Sequence, residues 1–293
     1  TVLSPVTNKS IVDKGSSLAI DEACLSSKIF IGHVDALIGK CDYIFVPRVV
    51  SFGDRQVSCT KFMAIYDIVS NTFRDRRIKL IDFNIDVRKS QGEMNAYMAL
   101  AKFLGKKKPL ALQAYMIAKQ TEKLQMDGRV IAQYRLLENR ATKILIVGHG
   151  YNVHDEMIGA PVTRYLKNLG VSVAYADIAD PKTAMQRSLE ITETLPWAYN
   201  RELVGGIQIY KDSVDGIILL SAFPCGPDSL VNDMIMRTIK DKPVRNRLSD
   251  SLDGKAGVET RLESFVDIIE FRRNMMVNNT LFNKASENTS NII

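Results

Sequence analysis

Val214-Asp-Gly-Ile-Ile-Leu-Leu-Ser-Ala-Phe-Pro-Cys-Gly-Pro-Asp-Ser229 is an aliphatic run that stops at a loop rich in breakers. An unbroken apolar run bounded by turn residues reads as a strand buried on both faces, the kind found in parallel sheets. Pro224-Cys-Gly-Pro227 permits only a tight loop. Asp228 and Ser229 are helix-capping types, and Leu230 to Ile239 carries apolar residues at helical spacing. Cys225 therefore sits between the carboxyl end of a strand and the start of a helix, where open α/β sheets place their ligands. The free N–H groups and dipole of a helix start favour a thiolate there. Position alone equally suits a buried, inert cysteine.

The same alternation extends outward in both directions. Lys143-Ile-Leu-Ile-Val-Gly148 reads as a strand running into the loop His149 to His154. Pro161–Leu169 reads as a helix ended by Gly170, and Val171–Ala176 as the next strand. Thr183 to Tyr210 is helical with an interruption at Pro196. A strand candidate follows Pro243, then a helix from Gly257 to Met276 and a polar tail. Upstream, Thr1–Pro5 reads as the end of a strand, and Thr7–Ser10 as the cap of a helix through Leu18. A helix over Ile29–Leu37 comes next, then a strand, Asp42–Arg48, stopped by Pro47. Val49–Ser58 reads as a hairpin or loop, Met63–Val69 as a short helix and Ile78–Ile85 as another strand. Helical spacing then runs over Gly92–Leu104 and Leu110–Asn139, with Lys106-Lys107-Lys108 as a solvated turn between. The expected fold class is α/β: two Rossmann-like lobes, each a doubly wound parallel sheet, joined by a helical connector. The boundaries are 1–90 for the first lobe, 91–140 for the connector and 141–293 for the second lobe.

Bulk composition agrees with two ordinary cores. The chain has 293 residues, 46% of them hydrophobic and 25% charged. A net charge of +6 suits an anionic small molecule such as a nucleotide or coenzyme A. It is too mild and too scattered for nucleic acid. No apolar run approaches the ~20 residues of a membrane span, so no membrane partner is expected. No secretion signal is present, and a cytoplasmic location is expected. The chain opens on Thr1, so a further upstream piece is also expected.

The four cysteines, Cys24, Cys41, Cys59 and Cys225, are far apart and form no C-x-x-C pair. In a reducing compartment disulfides are not expected, and any metal site must be assembled by the fold. Cys41 precedes a strand and reads as core. Cys24, Cys59 and Cys225 each lie beside a loop-to-helix junction. If the two lobes face each other with their strand carboxyl ends, these three thiols can meet. Three thiolates can then hold an iron–sulfur cluster with one iron left without a cysteine. His149, Tyr151 and Asn152 follow a strand end and are candidates for substrate contact, or for a loop that satisfies itself. Arg48 is a candidate for pairing with an anion, or for a surface salt bridge. Ser229 joins the candidates from the loop of Cys225. His33 reads as a packed helix histidine, and His154 as hydrogen-bonded to neighbouring Asp155. Gly148 and Gly150 make no dinucleotide fingerprint.

An ordered set of blocks carries a resemblance: Asp21-Glu-Ala-Cys-Leu25, Ile31-Gly-His33, Asp42-Tyr-Ile-Phe-Val-Pro-Arg48, Ser58-Cys-Thr-Lys-Phe62, Val147-Gly-His-Gly-Tyr-Asn152, Pro196-Trp197, Glu202-Leu-Val-Gly205, Phe223 to Ser229, and Thr260 to Asp267. Together they resemble the acyl-CoA dehydratase activase-related proteins of the 2-hydroxyacyl-CoA dehydratase-like superfamily, over about residues 5 to 270. The resemblance implies two Rossmann-like lobes holding a [4Fe–4S] cluster through Cys24, Cys59 and Cys225. It implies an ATP-dependent activase-like protein as electron donor and an acyl-CoA as acceptor. It also implies one-electron reductive chemistry that expels hydroxide from a 2-hydroxyacyl thioester. The alternative is a non-catalytic electron relay or regulatory partner of the activase. A third reading is a two-lobed ligand-binding protein without metal. The family's Asp-Glu-His and Gly-Glu-Ala-Gly segments read here as Asp250-Ser-Leu252 and Gly254-Lys-Ala-Gly257. Ser251, Leu252 and Lys255 therefore remove acid/base groups while leaving the thiols in place.

Overall fold

A computed structural model describes residues 1–53, 55–249 and 255–290, with side chains over 257–275 in the last stretch. The departures at Ser251 and Leu252 lie outside the described residues. The first part runs α1 (Lys9–Leu18), α2 (Leu25–Leu37), β1 (Ile44–Gly53), β2 (Gln56–Val57), α3 (Thr60–Met63), α4 (Ile65–Thr72) and β3 (Leu80–Asp86). Two helices follow, α5 (Glu93–Phe103) and the long α6 (Lys108–Leu137). The second part runs β4 (Lys143–Val147), α7 (Gly150–Val153), α8 (Gly159–Asn168), β5 (Ser172–Tyr175), α9 (Pro181–Arg187) and α10 (Ala198–Tyr210). It closes with β6 (Gly216–Ala222), α11 (Gly226–Thr238), β7 (Val244–Ser249) and α12 (Lys255–Ser290).

The fold is mixed α/β, with two sheets. The second has the order β5-β4-β6-β7 and is parallel throughout. Its strand β6, the aliphatic run of the decisive stretch, is buried at every position. Ile218 and Leu220 pack on one face, Ile217 and Leu219 on the other, as a strand covered by helices on both sides must. The first sheet has the order β2-β1-β3; β1 and β3 are parallel and β2 is antiparallel to β1.

Two strand limits differ from the sequence reading. Thr1–Pro5 joins no strand. Pro47 does not stop β1, which continues to Gly53. The Ile44 N–H points at β3, donating to Lys79 O at 2.9 Å. Strand alternation turns the N-side of Pro47 toward the opposite edge, where β2 meets only Ser51 and Gly53. A residue without an N–H fits on an unpaired strand edge.

The helix α2 splints the two sheets together. Ile11 and Val12 of α1 and Leu25 and Ile29 of α2 share a core with Ile144, Ile146, Ile218 and Leu220 of the second sheet. Ile31 and Val34, further along α2, belong to the core of the first sheet with Ile44 and Val46. The helices α1 and α2 cross with almost no gap. A Cβ on Gly15 would lie 1.9 Å from Lys28 O, and one on Gly32 would lie 2.1 Å from Ile11 O. Only glycine allows that approach. Among the described residues, no helix is long and apolar enough to cross a membrane.

Candidate functional site

Each of the three junction cysteines is the residue that enters a helix. Cys24 is the N-cap of α2, Cys59 of α3 and Cys225 of α11, all in extended backbone. Backbone hydrogen bonds tie their segments to one another. Leu25 N–H donates to Phe223 O at 2.8 Å, which links the Cys24 turn to the Cys225 loop. Val57 N–H donates to Pro196 O at 3.0 Å, and Ser58 N–H to Val50 O at 3.0 Å, which anchors the Cys59 turn. Ser26 Oγ donates to Asn152 Oδ1 at 2.6 Å, binding α2 to α7.

These ties bring Cys24, Cys59 and Cys225 to the wall of one cavity of about 360 Å³. Most of the remaining wall is apolar, with Ile29, Phe30, Pro47, Phe62, Ile65 and Ile158. Cys24 Sγ lies 3.2 Å from Ser27 Oγ. Cys41 is elsewhere, packed on the first core with its thiol facing Leu37 O at 3.6 Å. None of the four cysteines is in a disulfide. Tyr151 and Asn152 also line the cavity. Tyr151 stacks on His149 at 5.0 Å and meets Phe62 at 5.4 Å.

Of the other sequence candidates only His33 lines the cavity; Arg48, Ser229, His149 and His154 do not. Arg48 is held by Asp67 at 3.1 Å and Asp82 at 3.3 Å and lies over the Tyr66 ring, so it is a structural ion pair. Ser229 Oγ donates back to Cys225 O at 2.8 Å and braces the first turn of α11. His149 is buried one layer behind the cavity. His33 packs within α2 and meets Thr7 Oγ1 at 3.0 Å. His154 bonds Asp177 at 2.9 Å rather than Asp155. The Asp155 carboxylate instead accepts from the backbone N–H groups of Met157 and Ile158, at 2.8 and 3.1 Å.

Asp228 is the residue whose role the sequence reading missed. It does not cap α11. Its Oδ1 accepts from His149 Nε2 at 2.9 Å and from Asn200 Nδ2 at 2.8 Å, and the residue is 4% exposed. Its Oδ2 is buried with no N–H or O–H donor. Burial pushes this carboxyl up, but the charge of His149 and hydrogen bonds from His149, Asn200 and the Cys225 thiol outweigh it and hold it below the usual range. The available signal was its place three residues after a cysteine in a loop too tight to turn it outward. Asn200, which reaches Asp228 from α10, gave no such signal.

The electrostatics correct the expectation of a ready thiolate. Burial, and then the Asp228 carboxylate, raise the Cys225 thiol well above its ordinary value. Burial also raises Cys59, while the N–H groups of Phe62 and Lys61 pull it back and Cys24 and Asp228 add to the rise. A helix start is worth less than desolvation plus a neighbouring negative charge. The Cys59 and Cys225 thiols therefore keep their protons near neutral pH.

Residues 1–178 match the family described as the CoA enzyme activase uncharacterised domain. The chain belongs to that family. The match takes in Cys24, Cys59 and the His149–Asn152 turn, while Cys225 and Asp228 lie beyond it. In this activase-domain chain the cavity is thus closed by a segment outside the matched region. No curated protein matches the chain.

The group that the resemblance implies is an iron–sulfur cluster. Among the described residues, no three His, Cys, Asp or Glu side chains gather around a point fit for a single metal ion. A lone tetrahedral ion needs all its thiolates about 2.3 Å from one point. A cluster spreads its thiolates over several irons, so three thiols on one cavity wall suit it without sharing a single point. Soft donors, an apolar wall and a cavity larger than a single ion needs all fit that group.

Proposed function

We propose that Cys24, Cys59 and Cys225 hold a [4Fe–4S] cluster between two Rossmann-like lobes. On this reading the chain takes part in one-electron reductive chemistry on an acyl-CoA-type substrate, as in the 2-hydroxyacyl-CoA dehydratase-like superfamily. The observation that carries the reading is the convergence of three thiols, from chain positions as distant as 24 and 225, on one apolar cavity. The family match supports a CoA enzyme or activase-type partner. An ATP-dependent activase is the donor this reading requires.

A bound cluster of this kind supplies single electrons and one iron without a cysteine ligand. The chain's own residues do the rest. The backbone ties at Leu25 and Val57 hold the thiol-bearing turns in register. The apolar side chains exclude water from the space beside the thiols. Tyr151 keeps its phenolic proton at any ordinary pH, because burial raises it far above its usual value.

Purification without oxygen, with iron and sulfide analysis, tests the reading. A brown protein with about four irons and four sulfides per chain is expected, as for one cubane. Cys24→Ser, Cys59→Ser and Cys225→Ser should each lose most of that iron, while Cys41→Ser keeps it. A colourless anaerobic preparation, or iron that depends on Cys41, would sink the reading. Loaded protein that accepts electrons but turns over no acyl-CoA would select the relay role.

A further inference from the structure

Three short segments meet at the amino ends of β1 and β3. The chain enters β1 through residues 40–43 and β3 through residues 74–79, and the two strands pair in parallel from Ile44 and Leu80 onward. The third segment, residues 102–108, spans the turn between α5 and α6. It joins the others where Phe103 packs edge-on against Tyr43 at 5.4 Å. Together the three hold nine of the chain's 39 lysines and arginines but two of its 33 acidic residues. The rest of the chain keeps 30 cations and 31 acids, so a charge that looks scattered along the sequence is gathered at one end of the fold. Arg74 and Arg76 have acidic partners in Asp75 and Asp35, and Lys79 lies over the Tyr43 ring. Among the described residues, Lys40, Arg77, Lys102, Lys106, Lys107 and Lys108 join no ion pair. The helix α5 stops at this turn, where Gly105 takes a left-handed backbone and Lys106 N–H donates back to Ala101 O at 2.8 Å. Phe103 and Leu104 are left 53% and 52% exposed, with lysines on either side.

We propose that this face binds the surface of an anionic lipid bilayer, with Phe103 and Leu104 entering the headgroup layer and the lysines on lipid phosphates. Charge selects a polyanion, because each cation near such a surface adds to the attraction. The kind of cation narrows the choice. Among the six without an ion pair, Arg77 is the single arginine. Protein interfaces favour arginine and are poor in lysine, whereas a hydrated point charge on a flexible stem suits a fluid layer of headgroups. The rings argue against nucleic acid. A base stacks on an open ring face, but Tyr43 carries Lys79 over its ring and Phe103 at 85° to it. Leu104 has no ring to offer. Exposed apolar side chains between lysine stems fit the boundary between headgroups and acyl chains. Such attachment needs no spanning helix. The Cys59 turn is tied to β1 at Val50, about 20 Å along the strand from Ile44, which sets that thiol well away from the bound surface. The inference does not depend on metal binding.

Flotation of the full chain with unilamellar vesicles is the test, with far-UV circular dichroism as the check on folding. At about 0.1 M salt the chain should float with vesicles of phosphatidylcholine mixed with phosphatidylglycerol, and stay behind with phosphatidylcholine alone. Raising the salt to about 1 M should release most of it. Lys106→Glu combined with Lys107→Glu should weaken binding more than about tenfold, and Leu104→Gln about threefold or more, both with an unchanged helical spectrum. Lys167→Glu combined with Lys182→Glu makes the same charge change on α8 and α9 and should bind as the parent does. Equal binding to the two vesicle types, no binding to the anionic ones, or parent-like binding of either of the first two variants would overturn the proposal. So would a single-stranded oligonucleotide that binds more tightly than the anionic vesicles and displaces them, which would give the face to nucleic acid.

Discussion

Glu202 on α10 is partly buried, and burial pushes its carboxyl up to about 7, with His149 pulling against the rise. In the unfolded chain the group returns to 4.5. The native state therefore binds the extra proton between those values. Its contribution to stability is fully present below the unfolded value and is lost as pH rises through the folded one. Glu202→Gln removes that slope. Relative to the variant, the parent chain should lose roughly 1–3 kcal/mol of unfolding free energy between about pH 5 and about pH 8, measured by urea titration. A parallel pair of curves would show that the group is not desolvated. Residue chemistry was only half legible in the sequence. Cys24, Cys59 and Cys225 were marked by their places at helix entries. The protonation of Cys225 was not, because Asp228 acts on it through a side-chain direction that His149 and Asn200 set from two other elements. Arg48 shows the reverse: a plausible anion site in sequence, already occupied by Asp67 and Asp82 in space.

At the scale of elements, the α1–α2 crossing matters most, since it positions Cys24 against the Cys225 loop. Gly32→Val would set a Cβ 2.1 Å from the Ile11 carbonyl oxygen, and a backbone atom has little room to give. The two helices must part, at a cost of roughly 1–3 kcal/mol as for other overpacked contacts. A lowered melting temperature, together with faster alkylation of Cys24 in the metal-free chain, is the expected outcome. An unchanged melting temperature would mean that the crossing is looser than described. Element types were legible because periods of two and 3.6 residues are local properties. Pro47 was misleading because a missing N–H ends a strand only where a partner needs that donor. The two strand residues of β2 were read only as a hairpin or loop, since their antiparallel pairing depends on β1 continuing past the proline.

Across the whole molecule, the cores interlock rather than sit side by side. Helices from the first forty residues fill one face of the second sheet, and α12 covers the same core through Leu262, Phe265, Val266 and Ile269. The single tryptophan, Trp197, bridges to Val57 beside the Cys59 turn and packs against the other face of that sheet. Unfolding is therefore expected to be one cooperative step. Trp197 fluorescence and far-UV circular dichroism should trace the same urea curve. Two separated transitions would mean that the sheets are held independently.

The sequence by itself determined the α/β class, the aliphatic strand β6, the helix starts and the three cysteines at them, because each rests on neighbours within a few positions. Only the tertiary structure decided that those thiols share a cavity, that α2 serves two cores, and that a buried carboxylate opposes the helix start at Cys225. Each of these depends on desolvation and on contacts between residues far apart in the chain. No local pattern encodes such quantities.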